Sequence, residues 1–211
     1  MVRWFKPFVF LACLVPLARL GWKAYASQLG ANPIEVITHS TGDWLLIFLL
    51  VTLAITPLRK LTGQLWLIRY RRMFGLFGFF YGTLHFLTYI WLDKFFDVHE
   101  MLSDIAKRRF ITVGFTGFVL LIPLALTSTR GWIRRLGGRR WQNLHRLIYL
   151  SAIAGIIHYY WLVKADVRKP LEYALVLAFL LGYRLWVRAW PRLRVRQKAT
   201  PLGPREEVSE S

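Results

Sequence analysis

The chain has 211 residues, of which 55% are hydrophobic, and its formal charge of +18 comes from 29 Lys and Arg against 11 Asp and Glu. The apolar residues form long runs with basic clusters between them, which argues against a soluble core and against nucleic-acid binding. The single cysteine, Cys13, excludes an internal disulfide and a cysteine-ligated metal or iron–sulfur site.

Six apolar runs predict an all-α polytopic membrane protein, a six-transmembrane-helix bundle. The first run could also be a signal peptide cleaved after Ala26, but Arg19 and Lys23 before that site favour an uncleaved helix. Residues 1–190 then form one membrane domain, and the polar tail 191–211 is expected to be disordered. The predicted helices cover about 8–26, 44–57, 74–92, 110–126, 144–163 and 171–187.

Two local signals bound the second predicted helix. Asn32-Pro33 and Thr41-Gly42 indicate a loop before it, and Thr56-Pro57 indicates its end.

The distribution of basic residues predicts the orientation of the bundle in the membrane. The N-terminus, two basic loops and the tail hold 18 Lys and Arg, whereas the three segments on the opposite side hold 7. The positive-inside rule therefore predicts that both termini are cytoplasmic and that the protein is a multi-pass inner-membrane protein.

Two of the five histidines lie well inside predicted spans. His85 is about 17 Å along the third helix and His158 about 20 Å along the fifth, and both helices run outward. Ionisable groups inside a span are costly and usually functional. Two imidazoles at matched depth suit the two axial ligands of a haem, and Gly78, Gly82 and Gly155 would leave room for it. The simpler interpretation, hydrogen bonds between helices, stays open.

The other histidines lie nearer the surface. His145 is at the cytoplasmic mouth of the fifth helix, where it either contacts water and lipid headgroups or serves as a ligand of a second haem. His39 falls in a segment expected on the periplasmic side, where it caps a helix or lines a quinone or partner site. His99 lies in an acidic loop and is expected to be solvated.

The sequence contains no phosphate-binding glycine motif of a flavin or nicotinamide domain. Electrons must therefore come from another molecule, such as a quinol, a free flavin or a partner reductase.

Short motifs extend along most of the chain. They are GANP (30–33), HSTG (39–42), ITPL (55–58), RRMFGL (71–76), YGTLH (81–85), TST (127–129), WQNLH (141–145) and HYYW (158–161). In this order and spacing the chain resembles the MsrQ (YedZ) family, haem-binding membrane subunits of a bacterial system that repairs oxidised methionine in periplasmic proteins. That family lies within the ferric-reductase-like transmembrane group, which includes the NADPH oxidases.

The resemblance implies b-type haem ligation at His85 and His158, and at His145 if there is a second haem. The wider group uses two histidines on each of two helices, but here Arg71 stands where the fourth would be expected, so one haem and two haems both stay open. The resemblance further implies electron supply from the quinone pool, FMN as a further cofactor, and a periplasmic molybdopterin methionine sulfoxide reductase, MsrP-like, as partner. The chain would be the electron-transfer subunit rather than the substrate-reducing one.

A different class of function uses the same histidines: a transmembrane ferric or metal reductase, or a metal transporter. A transporter would be expected to carry acidic residues within its spans. The eleven acids lie almost entirely in loops and the tail, which favours the electron-transfer interpretation.

Overall fold

The computed structural model describes residues 5–163 and 165–198, and every regular element in those ranges is helical. A short 3-10 turn, Leu65–Leu67, precedes the third helix, and a π-helical turn, Thr88–Asp93, continues it. The α-helices are α1 Phe5–Tyr25, α2 Pro33–Thr62, α3 Ile68–Leu87, α4 Val98–Lys107, α5 Arg109–Leu126, α6 Arg130–Leu136, α7 Gly138–Leu144, α8 Leu147–Leu162 and α9 Arg168–Lys198.

Five helical segments in the described ranges are long and apolar enough to cross a bilayer. They are Phe5–Tyr25, Pro33–Thr62, Leu65–Asp93, Arg109–Leu126 and Arg168–Ala189. Helix α8, the predicted fifth span, has 16 residues. At 1.5 Å per residue it is about 24 Å long, shorter than a hydrocarbon core of about 30 Å. The multi-pass membrane architecture is therefore supported, while the sixth span and the cytoplasmic termini stay predictions.

Helix α2 is longer than the predicted second helix, because the segment interpreted as a loop is its first turns. Asn32 caps the helix, with its side-chain oxygen accepting from the Glu35 amide at 3.3 Å, and Pro33 occupies the first helical position. An Asn cap followed by Pro is a helix-start signal, since the Asn side chain accepts from an otherwise unpaired first-turn amide and Pro has no amide hydrogen that needs an acceptor. His39 is therefore a helical residue. The helix ends at Gly63, whose φ of +70° suits glycine.

Pro57 does not end α2 as predicted. A proline within a helix leaves the carbonyl four residues earlier without its amide donor. That carbonyl belongs to Leu53, and the guanidinium of Arg184 on α9 donates a hydrogen bond to it. The replaced donor explains how the helix continues to Thr62.

Three segments predicted as loop or tail contain helix. Helix α4 lies between α3 and α5, and α6 and α7 lie between α5 and α8. Helix α9 extends to Lys198, so the predicted disordered tail is helical over 191–198, while 199–211 lies outside the described residues.

The bundle is organised as two helix pairs. Helix α2 packs most extensively along α3, and α5 packs along α8. The main core joins the pairs through buried leucines, among them Leu46 and Leu49 on α2 and Leu121 on α5, with Ala152 on α8. The pairing fixes which helix lies against each candidate histidine.

Candidate functional site

The structure brings His85 and His158 together. Their ring centres are 6.1 Å apart and their ring planes are inclined by 79°. His85 comes from the α2–α3 pair and His158 from the α5–α8 pair, so the two rings meet where the pairs face each other.

His85 is oriented by the facing helix α2. Its Nδ1 atom lies 3.0 Å from the backbone carbonyl oxygen of Thr38. One turn further along α2, a Cβ added at Gly42 would lie 3.2 Å from two atoms of the His85 ring. Glycine at this position therefore lets the imidazole lie directly against the backbone of α2.

His158 is oriented by α5 in the same manner. Its Nδ1 atom lies 2.7 Å from the carbonyl oxygen of Phe110. A Cβ added at Gly114 would lie only 2.6 Å from the same Nδ1, a distance that the ring could not tolerate without moving. On both facing helices the orienting carbonyl thus precedes the close-packed glycine by four residues.

The two carbonyl contacts determine which ring nitrogens are free. A carbonyl oxygen only accepts, so each Nδ1 must carry the proton that it donates. In a neutral imidazole the lone pair then lies on Nε2. Histidines that ligate metals are commonly held in this tautomer by a hydrogen bond from the other nitrogen.

Both histidines line one cavity of about 440 Å³. This volume falls in the range of small-molecule and cofactor sites, about 300–1,000 Å³. Its interior is largely apolar and aromatic, and polar side chains lie at one end. The apolar part includes Leu45, Leu46, Leu49, Phe86, Phe118 and Leu121, and the polar part includes Glu35, His39, Asp43, Asp93 and Arg108.

The spacing of the two rings fits a shared metal ion. A metal–imidazole bond is about 2 Å, so two such bonds and the distance from each nitrogen to its ring centre give a separation of roughly 6 Å. The observed 6.1 Å agrees with this value. The apolar cavity around the pair suits the flat macrocycle of a haem.

Small residues contribute differently from what their sequence positions indicate. Gly82 and Gly155 line the cavity as expected, whereas Gly78 packs against Leu49 of the core. The residues that sequence reasoning missed are Gly42, Gly114 and the carbonyls of Thr38 and Phe110. Every glycine inside a helix follows some carbonyl by four residues, so this pattern identifies a site only when the facing helices are known.

His145 lies away from this cavity, at the end of α7. Its Nε2 atom is 3.1 Å from the hydroxyl oxygen of Thr127, which already donates its proton to Pro123 at 2.6 Å. Nε2 must therefore be the donor, and the lone pair of neutral His145 lies on Nδ1. The ring of Trp141 stacks on His145 at 3.9 Å, and its indole N–H donates to the carbonyl of Thr127.

The two remaining histidines differ in exposure. His39 lies at the polar end of the cavity, with its Nε2 3.8 Å from a Glu35 carboxylate oxygen and its ring 6.4 Å from that of Tyr159. His99 is exposed on α4, as expected of a solvated side chain.

An ion-pair cluster that joins Lys94 to the acids of α4, the α4 cluster, borders the polar end of the cavity. The nearly covered ammonium of Lys94 lies 2.7 Å from Asp104 and 2.5 Å from Glu100, and Arg108 lies 3.1 Å from Asp104. Hydrogen bonding to these carboxylates raises the pKa of Lys94, and the bond from Lys94 lowers the pKa of Asp104. Both groups are therefore held in their charged forms.

Comparison with known proteins gives concordant matches. The family described as "Ferric reductase like transmembrane component" matches residues 41–156, more than half of the chain. No solved structure matches.

Three similar relatives carry the name protein-methionine-sulfoxide reductase heme-binding subunit MsrQ. The one from Herminiimonas arsenicoxydans is 57% identical over 89% of this chain and 86% of its own length. The one from Ralstonia nicotianae is 56% identical over 92% and 89%, and that from Bordetella pertussis is 53% identical over 90% and 91%.

Proposed function

We propose a function from one premise: the chain belongs to the MsrQ family, within the ferric-reductase-like transmembrane proteins. In this proposal it is a haem-binding membrane redox subunit, and His85 and His158 are the axial ligands of a b-type haem. Bound there, the haem supplies reversible one-electron chemistry.

The observation that carries the proposal is the ring pair itself. The ring centres lie 6.1 Å apart, and each Nδ1 is engaged by a backbone carbonyl, at 3.0 Å for His85 and 2.7 Å for His158. The proposed role of this chain's residues is to present two Nε2 lone pairs at the spacing of one iron and to keep the rings from turning. The apolar lining would exclude water from the reacting centre.

The electron route extends the proposal to partners. Quinol from the membrane pool, with FMN as a possible intermediate carrier, would be the donor. A periplasmic methionine sulfoxide reductase, of the MsrP-like molybdopterin type, would be the acceptor. In the orientation that the positive-inside rule predicts, the polar end of the cavity would lie on the periplasmic side, because it is at the beginning of α2 and opposite the basic loops. The acceptor would dock there, near His39 and the segment that carries His99.

A second haem at His145 stays open. His145 would offer Nδ1 in its present hydrogen-bonded state, or Nε2 if the bond to Thr127 were released. Either arrangement differs from that of His85 and His158, so we assign the main haem to that pair.

A metal transporter has less support. Within the described residues no group of three or more His, Cys, Asp or Glu could hold a metal ion. The two cavity histidines alone suit a planar cofactor that completes the coordination itself.

The direct test is the reduced-minus-oxidised optical spectrum of the purified chain, with haem and iron quantified per chain. The expected result is the Soret and α bands of a low-spin b-type haem. If the chain folds and inserts in cells supplied with haem but shows no reducible bands, the assignment is refuted.

A further inference from the structure

Helix α4 and the turn before it lie at the level of a membrane surface. The third candidate span ends at Asp93 and the fourth begins at Arg109, so α4 lies between two points at which the chain crosses the same surface. Trp91, at the end of the third span, is an exposed side chain of the type that marks the headgroup level. The ten residues of α4 extend about 15 Å, too short to cross the hydrocarbon core. The helix therefore belongs along the surface rather than through the bilayer.

The turn and α4 direct large apolar side chains outward. The exposed fractions are 78% for Phe95, 61% for Phe96, 61% for Val98 and 63% for Leu102. Val98 and Leu102 are four residues apart, so they lie on one face of the helix. A helix at the surface of a protein in water turns such a face toward the core. These four side chains, the outer face of α4, point the opposite way.

The charged side chains that fix α4 to the bundle lie away from the outer face. Asp104 follows Leu102 by two residues, about 200° around the helix, and is buried. Its carboxylate lies 2.7 Å from the Lys94 ammonium and 3.1 Å from the Arg108 guanidinium. Because these contacts of the α4 cluster set the rotation of the helix, the outer face stays outward while they are intact. Charges inside and apolar groups outside suit a hydrocarbon neighbour better than water.

The outer face of α4 continues the exposed side of the preceding span. Leu87 is 45% exposed and Trp91 62%, and together with Phe95 they follow one another at intervals of four residues. Phe95 and Phe96 also have positive φ angles, +45° and +64°, in a backbone region that bulky residues rarely adopt. Strained backbone persists only where the surrounding structure imposes it, and it is concentrated at functional places. Here the strained turn holds two phenylalanine rings outside the bundle, in line with the exposed side of the span.

We propose that the outer face of α4 is a membrane anchor, which inserts among the acyl chains of the leaflet next to the polar end of the cavity. The occupant is the lipid bilayer, because the exposed side of the span leads into this face without a break and α4 lies at the headgroup level. Insertion holds α4 flat on the surface and leaves Lys107 in water. Ile105 and Arg108 line the cavity, so the lipid that seats α4 also shapes the cavity's polar end. This anchoring needs no haem.

The test is the immersion depth of spin labels on the purified full-length chain, reconstituted into liposomes of phosphatidylethanolamine and phosphatidylglycerol. Single labels are attached in Val98→Cys, Leu102→Cys and the matched control Lys107→Cys. Lys107 is exposed on the same helix, about 140° around it from Leu102. The background is Cys13→Ala, and if it does not fold the native thiol is kept, since buried Cys13 is shielded from the label. EPR power saturation compares collisions with oxygen, which concentrates in lipid, and with a water-soluble nickel chelate.

The expected result is an immersion of about 5–10 Å for the labels at 98 and 102, with the label at 107 in water. Replacing Phe95→Ser and Phe96→Ser together should move the label at 102 toward water while the helix content stays the same. No movement of that label would overturn the anchoring role of the two rings.

Three other outcomes would overturn the membrane contact. Labels at 98 and 102 that collide mainly with the nickel chelate would place the outer face in water. Labels shielded from both reagents would mean that protein covers the face, either another part of this chain or a second copy. Equal immersion of all three labels would mean that the outer face has no special relation to the lipid.

Discussion

The imidazole rings of His85 and His158 lie 6.1 Å apart, and each donates its Nδ1 proton to a carbonyl on a different facing helix. Neither ring orients the other. Each is fixed by its own helix pair, which makes the contribution of each pair separable by mutation.

Removing either ring should abolish the main haem signal. His85→Ala and His158→Ala each take away one of two axial ligands, so the low-spin Soret and α bands should disappear from the purified chain. His99→Ala, on the exposed face of α4, is the matched control and should keep the full signal. Full haem retention in either cavity variant would disprove the assignment.

His145→Ala should leave the low-spin signal of the His85–His158 site. The ring of His145 bonds to Thr127 and stacks on Trp141, away from the cavity. Haem per chain, measured by a pyridine haemochrome assay, distinguishes the two counts: an unchanged ratio means one haem, and a halved ratio means that His145 serves a second one. Complete loss of haem would contradict the separation of the two places.

Gly114→Ala should disrupt the site although it removes no ligand. The added Cβ would lie 2.6 Å from Nδ1 of His158, so the ring must turn and its hydrogen bond to Phe110 must weaken. The expected readout is reduced haem content or partial conversion to a high-spin spectrum. Gly42→Ala, with 3.2 Å to the His85 ring, should have a smaller effect in the same direction.

Gly182→Ala is the control for both glycine variants, because a Cβ added there meets nothing within 4 Å. It replaces glycine by alanine within α9 and should stabilise the helix by about 0.5–1 kcal/mol. The haem spectrum should not change. If Gly114→Ala matched Gly182→Ala, the close contact at His158 would have no functional consequence.

Ring orientation predicts a spectroscopic signature. The imidazole planes are inclined by 79°, close to perpendicular. Perpendicular axial imidazoles give ferric low-spin haem a highly anisotropic EPR signal, whereas parallel rings give a rhombic one. The frozen oxidised protein should therefore show the highly anisotropic type, and a purely rhombic spectrum would mean that the rings rotate when haem binds.

The α4 cluster should respond to acid. The pKa of Asp104 is lowered, so this carboxylate binds a proton less readily in the folded protein than in the unfolded one. Its contribution to stability is therefore present above the unfolded pKa of about 3.9 and is lost as the pH falls through the lower folded pKa. Hydrogen exchange of the α4 amides should accelerate in that acidic range.

Asp104→Asn should produce the same acceleration at neutral pH, by at least about tenfold, because a hydrogen bond to a charged group contributes about 1.5–3 kcal/mol. Glu172→Gln, which neutralises an exposed carboxylate on α9, is the comparison. Unchanged exchange in Asp104→Asn would mean that the cluster does not hold α4 in place.

The membrane architecture and the meeting of His85 with His158 could be predicted from the sequence. Long apolar runs and matched depth carry that information, because the rise along a helix is fixed. The start of α2 was also encoded, in Asn32-Pro33 with Glu35, but the same dipeptide is typical of loops. The extension of α2 past Pro57 could not be predicted. The carbonyl that Pro57 leaves without a donor belongs to Leu53, and it accepts from Arg184, which lies 131 positions further along the chain.

The orienting contacts were equally out of reach. Thr38 and Phe110 orient the two imidazole rings through their backbone carbonyls, and the type of side chain does not indicate such a contact. Gly42 and Gly114 matter because of what lies opposite them, and that depends on which helices pair.

The repeated carbonyl–glycine arrangement has a consequence for biogenesis. Thr38 and Gly42, which contact His85 from its facing helix, precede it within 33–93, and Phe110 and Gly114, which contact His158, precede it within 109–162. Each hairpin can therefore orient its own histidine as soon as it leaves the insertion machinery, before the other hairpin exists. Cofactor capture is then the last step of assembly, when two finished halves close on each other, and an iron bound between them would fasten the halves together.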